Sequence, residues 1–186
     1  MGTSWMPETE VPDRVKTEAE EVARRRQVRR LVALLRSPYL DDRWKAAEKL
    51  GVIGDGSAVP ALIEALSDPF VEVSWIAAKS LGEIGDGRAF EPLIQALRSP
   101  EKWLRIGAAI GLGRLGDRRA VPALIEALKD EKALVRKHAA WALGVLGDSS
   151  AAEPLRALVN DPDRRVREEV LLALKKLSPP GEGNSP

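Results

Sequence analysis

The sequence predicts an all-α protein, a right-handed α-solenoid of about five helix pairs that repeat every 31 residues. A phrase Leu-Gly-x-x-Gly-Asp occurs four times, and its aspartates stand at constant spacing at Asp55, Asp86, Asp117 and Asp148. Each copy is followed by Ala-x-x-x-Leu with a proline inside it, and then by a short polar turn. Such self-similarity is typical of solenoids, in which each unit buries its apolar face against its neighbours.

The sequence predicts a tail followed by a capping helix in the N-terminal part of the chain. Residues 1–13 are polar and are expected to be disordered. Residues 14–36 form one long amphipathic pattern, which we interpret as the capping helix and first helix of the array. Thr17 followed by Glu20 is typical of a capping box, so the helix is expected to begin near Thr17.

The solenoid is expected to extend over residues 14–178, with repeats that end near residues 55, 86, 117, 148 and 178. Each unit predicts a first helix of about three turns with proline in its opening turn, where no amide partner is lost. A polar turn follows, and then a second helix, which in the second copy runs from about Val71 to Ile84. Glycine before the repeated aspartate supplies a left-handed cap. Residues 179–186 are expected to be a disordered tail.

The motif LGxIGDxxAVxxLIxAL, as it stands in these copies, resembles the HEAT-like repeats first noted in phycobilisome lyases and used in engineered α-helical repeat scaffolds. The resemblance covers roughly residues 28–178. It implies that the second helices line the inner, concave face of the solenoid. Because this fold carries many roles, the resemblance defines the architecture more closely than the function.

The composition disfavours catalysis. The chain has no cysteine and one histidine, which removes thiolate nucleophiles, Cys-based metal sites and paired histidine ligands. Its 29 basic and 28 acidic residues give a net charge of +1, unlike a strongly basic polyanion-binding protein. We therefore expect a non-enzymatic protein with no catalytic, cofactor-binding or metal-binding residues and no cofactor.

Tryptophan marks the candidate site. The chain has five tryptophans but two phenylalanines, and four of the tryptophans fall on the one stripe of the second helices that varies between copies. A contiguous apolar patch with a charged rim usually marks a binding surface, and tryptophan is enriched at interface hot spots. We expect a protein or peptide of unknown identity to bind this concave stripe, with these candidate residues: Trp44, Trp75, Ile76, Lys79, Trp103, Ile106, Ile110, Leu134, Lys137, His138 and Trp141.

Several alternatives remain open. The tryptophans could pack structurally between helices, or the patch could close a homodimer. The chain could instead be a chromophore-lyase-like or chaperone-like subunit of an enzyme assembly, holding a small ligand in the same groove. Weak nucleic-acid binding through the basic run Arg24–Arg30 is a third function, disfavoured because no aromatic residue is interleaved for base stacking.

Two regular rows have a structural interpretation. Arginine recurs at Arg43, Arg105, Arg136 and Arg167, with Ser74 in place of the second copy, and aspartate recurs at the repeat ends. We expect both rows to cap turns and to pair between neighbouring repeats. A cytoplasmic location is expected, since neither a signal-peptide pattern nor a long apolar run is present, and no membrane partner is expected. Trp5 receives no role.

Overall fold

The computed structural model describes residues 13–177, with side chains from residue 17 onward. The two predicted tails, including Trp5, lie almost entirely outside the described residues. Within them the chain folds into ten α-helices and no strand: α1 Asp13–Leu34, α2 Leu40–Ile53, α3 Val59–Ala65, α4 Val71–Ile84, α5 Phe90–Ala96, α6 Lys102–Leu115, α7 Val121–Ala127, α8 Ala133–Leu146, α9 Ala152–Arg156 and α10 Arg164–Leu177.

The helices stack as five consecutive pairs. Each odd-numbered helix packs on the even-numbered helix that follows it, and the even-numbered second helices also pack directly on one another from α2 to α10. Within the described chain, no first helix packs comparably on the next first helix. A stack whose layers differ in spacing curves toward the more closely spaced layer. The second helices therefore form the concave side, and one continuous core of Leu, Ala, Val and Ile runs between the layers.

The repeated Gly-Asp pair ends each second helix and begins the next unit. Gly85, at the end of α4, has φ +74°, the left-handed conformation in which glycine has no Cβ penalty. Asp86 then accepts a hydrogen bond from the backbone N–H of Arg88 at 2.9 Å and caps a single 3-10 turn. The same geometry recurs at Asp55, Asp117 and Asp148. The capping role predicted for this aspartate row is confirmed.

Two local predictions are wrong. The first helices are shorter than three turns, because the 3-10 turn uses the residues after the aspartate; α3 has seven residues and α9 has five. The capping box at Thr17 is also wrong, since α1 already includes Asp13 and Thr17 lies inside the helix. By contrast, the predicted limits of the second helix, Val71 and Ile84, are those of α4.

The arginine row joins consecutive repeats. Nε of Arg43, Arg105 and Arg136 donates to a carboxylate 25 residues further along, in Asp68 at 2.7 Å, Asp130 at 2.7 Å and Asp161 at 2.8 Å. Each guanidinium also donates to the backbone oxygen six residues before it, such as Arg105 Nη1 to Ser99 O at 2.9 Å. Pairing between repeats is confirmed, although the partners lie in the turn between the two helices of the next unit and not in the Asp55 row.

The capping aspartates predict a loss of stability in acid. A hydrogen bond from the Arg88 guanidinium, with the Arg88 N–H, holds the pKa of Asp86 at about 2 instead of 3.8; Arg165 does the same for Asp163. A carboxyl whose pKa is depressed by folding stabilises the protein above its unfolded pKa, and that contribution is lost as the pH falls through the folded pKa. We therefore expect Tm to fall between about pH 4 and pH 2.

Thermal unfolding followed by circular dichroism measures this effect. The double variant Asp86→Asn/Asp163→Asn should have a lower Tm at pH 6 and a flatter dependence of Tm between pH 4 and pH 2. Glu126→Gln removes an exposed carboxylate that caps no turn and serves as the control. A double variant with the wild-type slope would contradict the assignment.

Candidate binding groove

Two of the four candidate tryptophans line one groove between α4 and α6. Trp75 lies in the second turn of α4 and Trp103 in the first turn of α6; with Val71 and Glu72 they enclose a hollow of about 300 Å³. Trp103 keeps 42% of its surface exposed, whereas Trp75 is half-buried. The groove is therefore mainly aromatic and aliphatic, with one carboxylate in its wall.

Trp75 is held by the neighbouring helix. A Cβ added at Gly107 of α6 would lie 3.0 Å from Cδ1 of Trp75 and 2.6 Å from its backbone oxygen, so only glycine leaves room for this residue. Nε1 of Trp75 is buried and has no hydrogen-bond partner. Burial of an unpaired N–H group is unfavourable, and the ring is thus placed by packing and not by a polar contact.

Trp141 and Trp44 contribute more to packing within the protein than the sequence analysis expected. Trp141 of α8 lies over Gly113 of α6, where an added Cβ would come within 2.7 Å of Cζ3. Trp44 of α2 is half-buried against the core. Structural packing, one of the alternatives left open above, therefore accounts for part of both rings: Trp141 packs on a neighbouring second helix and Trp44 on the core.

Two of the predicted floor residues belong to the core. Ile76 is 2% exposed and Ile106 is 3% exposed, so neither can contact a partner in the groove. The reason is that α4 and α6 each pack on a second helix at both flanks, which buries the side chains on either flank. Ile110 and Leu134 are half-buried and stay accessible along the concave side.

The charged candidates lie on α4 and α8, outside the four residues that enclose the hollow. Lys79 Nζ lies 3.4 Å from Glu83 Oε1 on the same helix, and Glu83 also contacts the guanidinium of Arg114 on α6. Lys137 and His138 are half-buried on α8. Burial, with a smaller contribution from Lys137, lowers the pKa of His138 below 6.5, which keeps the imidazole neutral at pH 7.

A lysine of the same chain also lies over the Trp103 ring. Lys102 Nζ lies 5.2 Å from the centroid of the Trp103 ring, within the range of a cation–π interaction. Sequence reasoning missed this contact. It also missed the two glycines that receive the Trp75 and Trp141 rings, because helical glycines are read as weak helix formers and carry no signal of what lies opposite them.

Two features are absent from the described part of the chain. No cluster of three or more histidine, aspartate and glutamate side chains there could hold a metal ion. No helix among residues 13–177 is both long and apolar enough to cross a membrane.

Stacked helix pairs with a close-packed concave layer define an α-solenoid protein. The family of HEAT repeats matches residues 28–95 and 90–175, and the chain belongs to this family. No curated protein sequence matches the chain.

Solved structures show the same architecture. The complex of CpcE and CpcF of phycocyanin lyase from Nostoc sp. PCC7120 is 26% identical, with a TM-score of 0.73 over 96% of this chain and 70% of that one. An engineered protein is 24% identical, with a TM-score of 0.59 over 81% of this chain and 78% of that one. A designed armadillo repeat protein in complex with the peptide (KR)4 is 16% identical, with a TM-score of 0.58 over 91% and 96%.

Proposed function

We propose that this HEAT-repeat protein is a non-enzymatic scaffold that binds a segment of another protein in the groove between α4 and α6. The observation that carries the proposal is the exposure of Trp103 beside the half-buried Trp75. An exposed indole ring is costly in water, and it gains most when a partner covers it. Trp103, Trp75 and the accessible Ile110 and Leu134 would be the apolar contacts, with Lys137 and His138 on the rim.

The fold suits an extended partner. The concave layer presents one second helix per repeat, so successive side chains of a bound segment can meet successive helices. Two solved structures of the same architecture are complexes: the lyase structure contains CpcE together with CpcF, and the designed armadillo repeat protein holds a peptide. Both support a protein partner here.

A lyase-subunit role is the second candidate, because the phycocyanin lyase structure matches 96% of this chain. In that role the groove would hold a tetrapyrrole instead of a peptide. Mixing the protein with a free bilin separates the two functions, since only binding of the chromophore shifts its visible absorbance.

A random dodecapeptide library displayed on phage tests the binding scaffold. Selection on the wild-type protein should yield peptides whose affinity falls at least tenfold for Trp103→Ala, since hot-spot tryptophans contribute about 2 kcal/mol or more. Tyr39→Ala is the matched control, because Tyr39 is 71% exposed and lies in the turn before α2, outside the groove. Peptides that bind wild type and Trp103→Ala equally would overturn the proposal.

A further inference from the structure

The row of arginine–aspartate pairs is interrupted beside the groove. Arginine is replaced by Ser74 in α4, and the aspartate expected 25 residues later is replaced by Ser99. Both partners of one pair are thus absent together. Ser99 keeps the local part of the aspartate's role, since its Oγ accepts from the N–H of Glu101 at 3.1 Å, as Asp130 does from Lys132. Only the charged pair between repeats is lost.

A second hollow lies beside Ser74. Ser74 is buried, and its hydroxyl donates to Val71 O at 3.2 Å, so it does not reach the turns that the arginines join. A space of about 510 Å³ remains, bordered by Asp68, Phe70, Ser74, Glu101 and Leu104. This hollow adjoins the tryptophan groove, because Val71 and Glu72 line both.

The shared wall is negatively charged. Glu72 lines both hollows and Glu101 lines the second; both are exposed, and neither forms an ion pair with a described residue. Asp68, the third carboxylate at this hollow, is already paired with Arg43. The junction of α4 and α6 therefore combines two unpaired carboxylates with the partly exposed Trp103, over whose ring Lys102 lies, and it lacks the arginine that the other repeats carry.

We propose that this junction binds an arginine side chain of the partner segment, whose guanidinium takes the place left by the missing arginine. The inference rests on the proposed function and names the chemistry of the partner. A planar guanidinium donates in a fork to carboxylates and stacks on aromatic rings, so Glu72, Glu101 and Trp103 together favour arginine over a neutral side chain. Lys102 over Trp103 is an example of a cation on that ring within the same chain.

Two fluorescein-labelled hexapeptides test the proposal by anisotropy: one alternates leucine and arginine, and its twin carries citrulline, the neutral analogue, in place of arginine. We expect the arginine peptide to bind wild type at least tenfold more tightly than the citrulline peptide. This preference should disappear in Glu72→Gln/Glu101→Gln. It should persist in Asp41→Asn/Glu131→Gln, which removes the same charge from exposed positions outside both hollows.

The outcomes distinguish a failure of the arginine site from a failure of the tryptophan groove. Equal affinities of both peptides for wild type would overturn the arginine site, as would a preference that survives in Glu72→Gln/Glu101→Gln. If Trp103→Ala weakens both peptides, the groove binds peptides whatever their charge. If the arginine preference is present but Trp103→Ala changes neither affinity, the tryptophan groove of the proposed function fails while the acidic junction stands.

Discussion

Replacing Gly82 with alanine is expected to force α4 away from α6 and to destabilise the protein by about 3 kcal/mol. An ideal Cβ at Gly82 would lie 2.3 Å from the backbone oxygen of Gly111 and 2.5 Å from its Cα. These atoms belong to the main chain of a buried helix and cannot rotate aside. Equilibrium unfolding in urea measures the loss. The affinity of the groove for a peptide should also fall, because Trp75 lies on α4 and Trp103 on α6, and these two helices must separate.

Gly87→Ala is the matched control, because nothing lies within 4 Å of a Cβ at that position. It should change the free energy of unfolding by no more than about 0.5 kcal/mol. Inside a helix alanine is intrinsically favoured over glycine by about 1 kcal/mol, so Gly82→Ala tests the contact and not the helix propensity. A Gly82→Ala variant as stable as wild type would contradict the close approach of α4 and α6.

The sequence predicted the helix pairs well because the signals are local. Gly85 before Asp86 must end α4, since a left-handed residue followed by a capping carboxylate cannot continue the helix. The 31-residue period then transfers this boundary to every copy. The fold class and the second helices could therefore be predicted from the sequence alone.

The faces of the second helices could not be assigned in the same way. Each of α4, α6 and α8 contacts a first helix and two neighbouring second helices, so most of its circumference is buried and the exposed stripe is narrow. A rotation of α4 about its axis by one residue position decides whether Ile76 faces the groove or the core. The close approach at Gly82 and Gly111 sets that rotation, and glycine reveals nothing of its neighbour in a sequence.

The 31-residue period also could not identify the residues that pair with the arginine row. Asp55 and Asp68 both belong to rows that repeat every 31 residues, so the period alone cannot choose between them. The choice depends on the distance between turns of adjacent repeats in space. The joint replacement at Ser74 and Ser99 is the sequence signal that identifies the correct pair, because both members of that one pair are replaced together.

Arg136→Ala is expected to destabilise the protein by about 3–5 kcal/mol, because it leaves the Asp161 carboxylate uncompensated. The Asp161 side chain is 3% exposed, and two guanidinium nitrogens of Arg136 lie 2.8 Å from its oxygens. The Arg136 hydrogen bond lowers the pKa of Asp161, so the substitution removes the contact that favours the charged carboxyl and leaves the burial that opposes it. Urea unfolding at pH 7 measures the loss.

The double variant Arg136→Ser/Asp161→Ser reproduces the arrangement that the chain itself uses at Ser74 and Ser99. It should be more stable than Arg136→Ala, although it removes more polar groups, since serine at position 161 still caps the turn and no buried charge is left alone. A double variant that is less stable than Arg136→Ala would mean that the pair stabilises the junction by direct attraction. Under that result the natural serine pair would be a weak point between α4 and α6, and the stability of that junction would depend on the glycine-mediated contact.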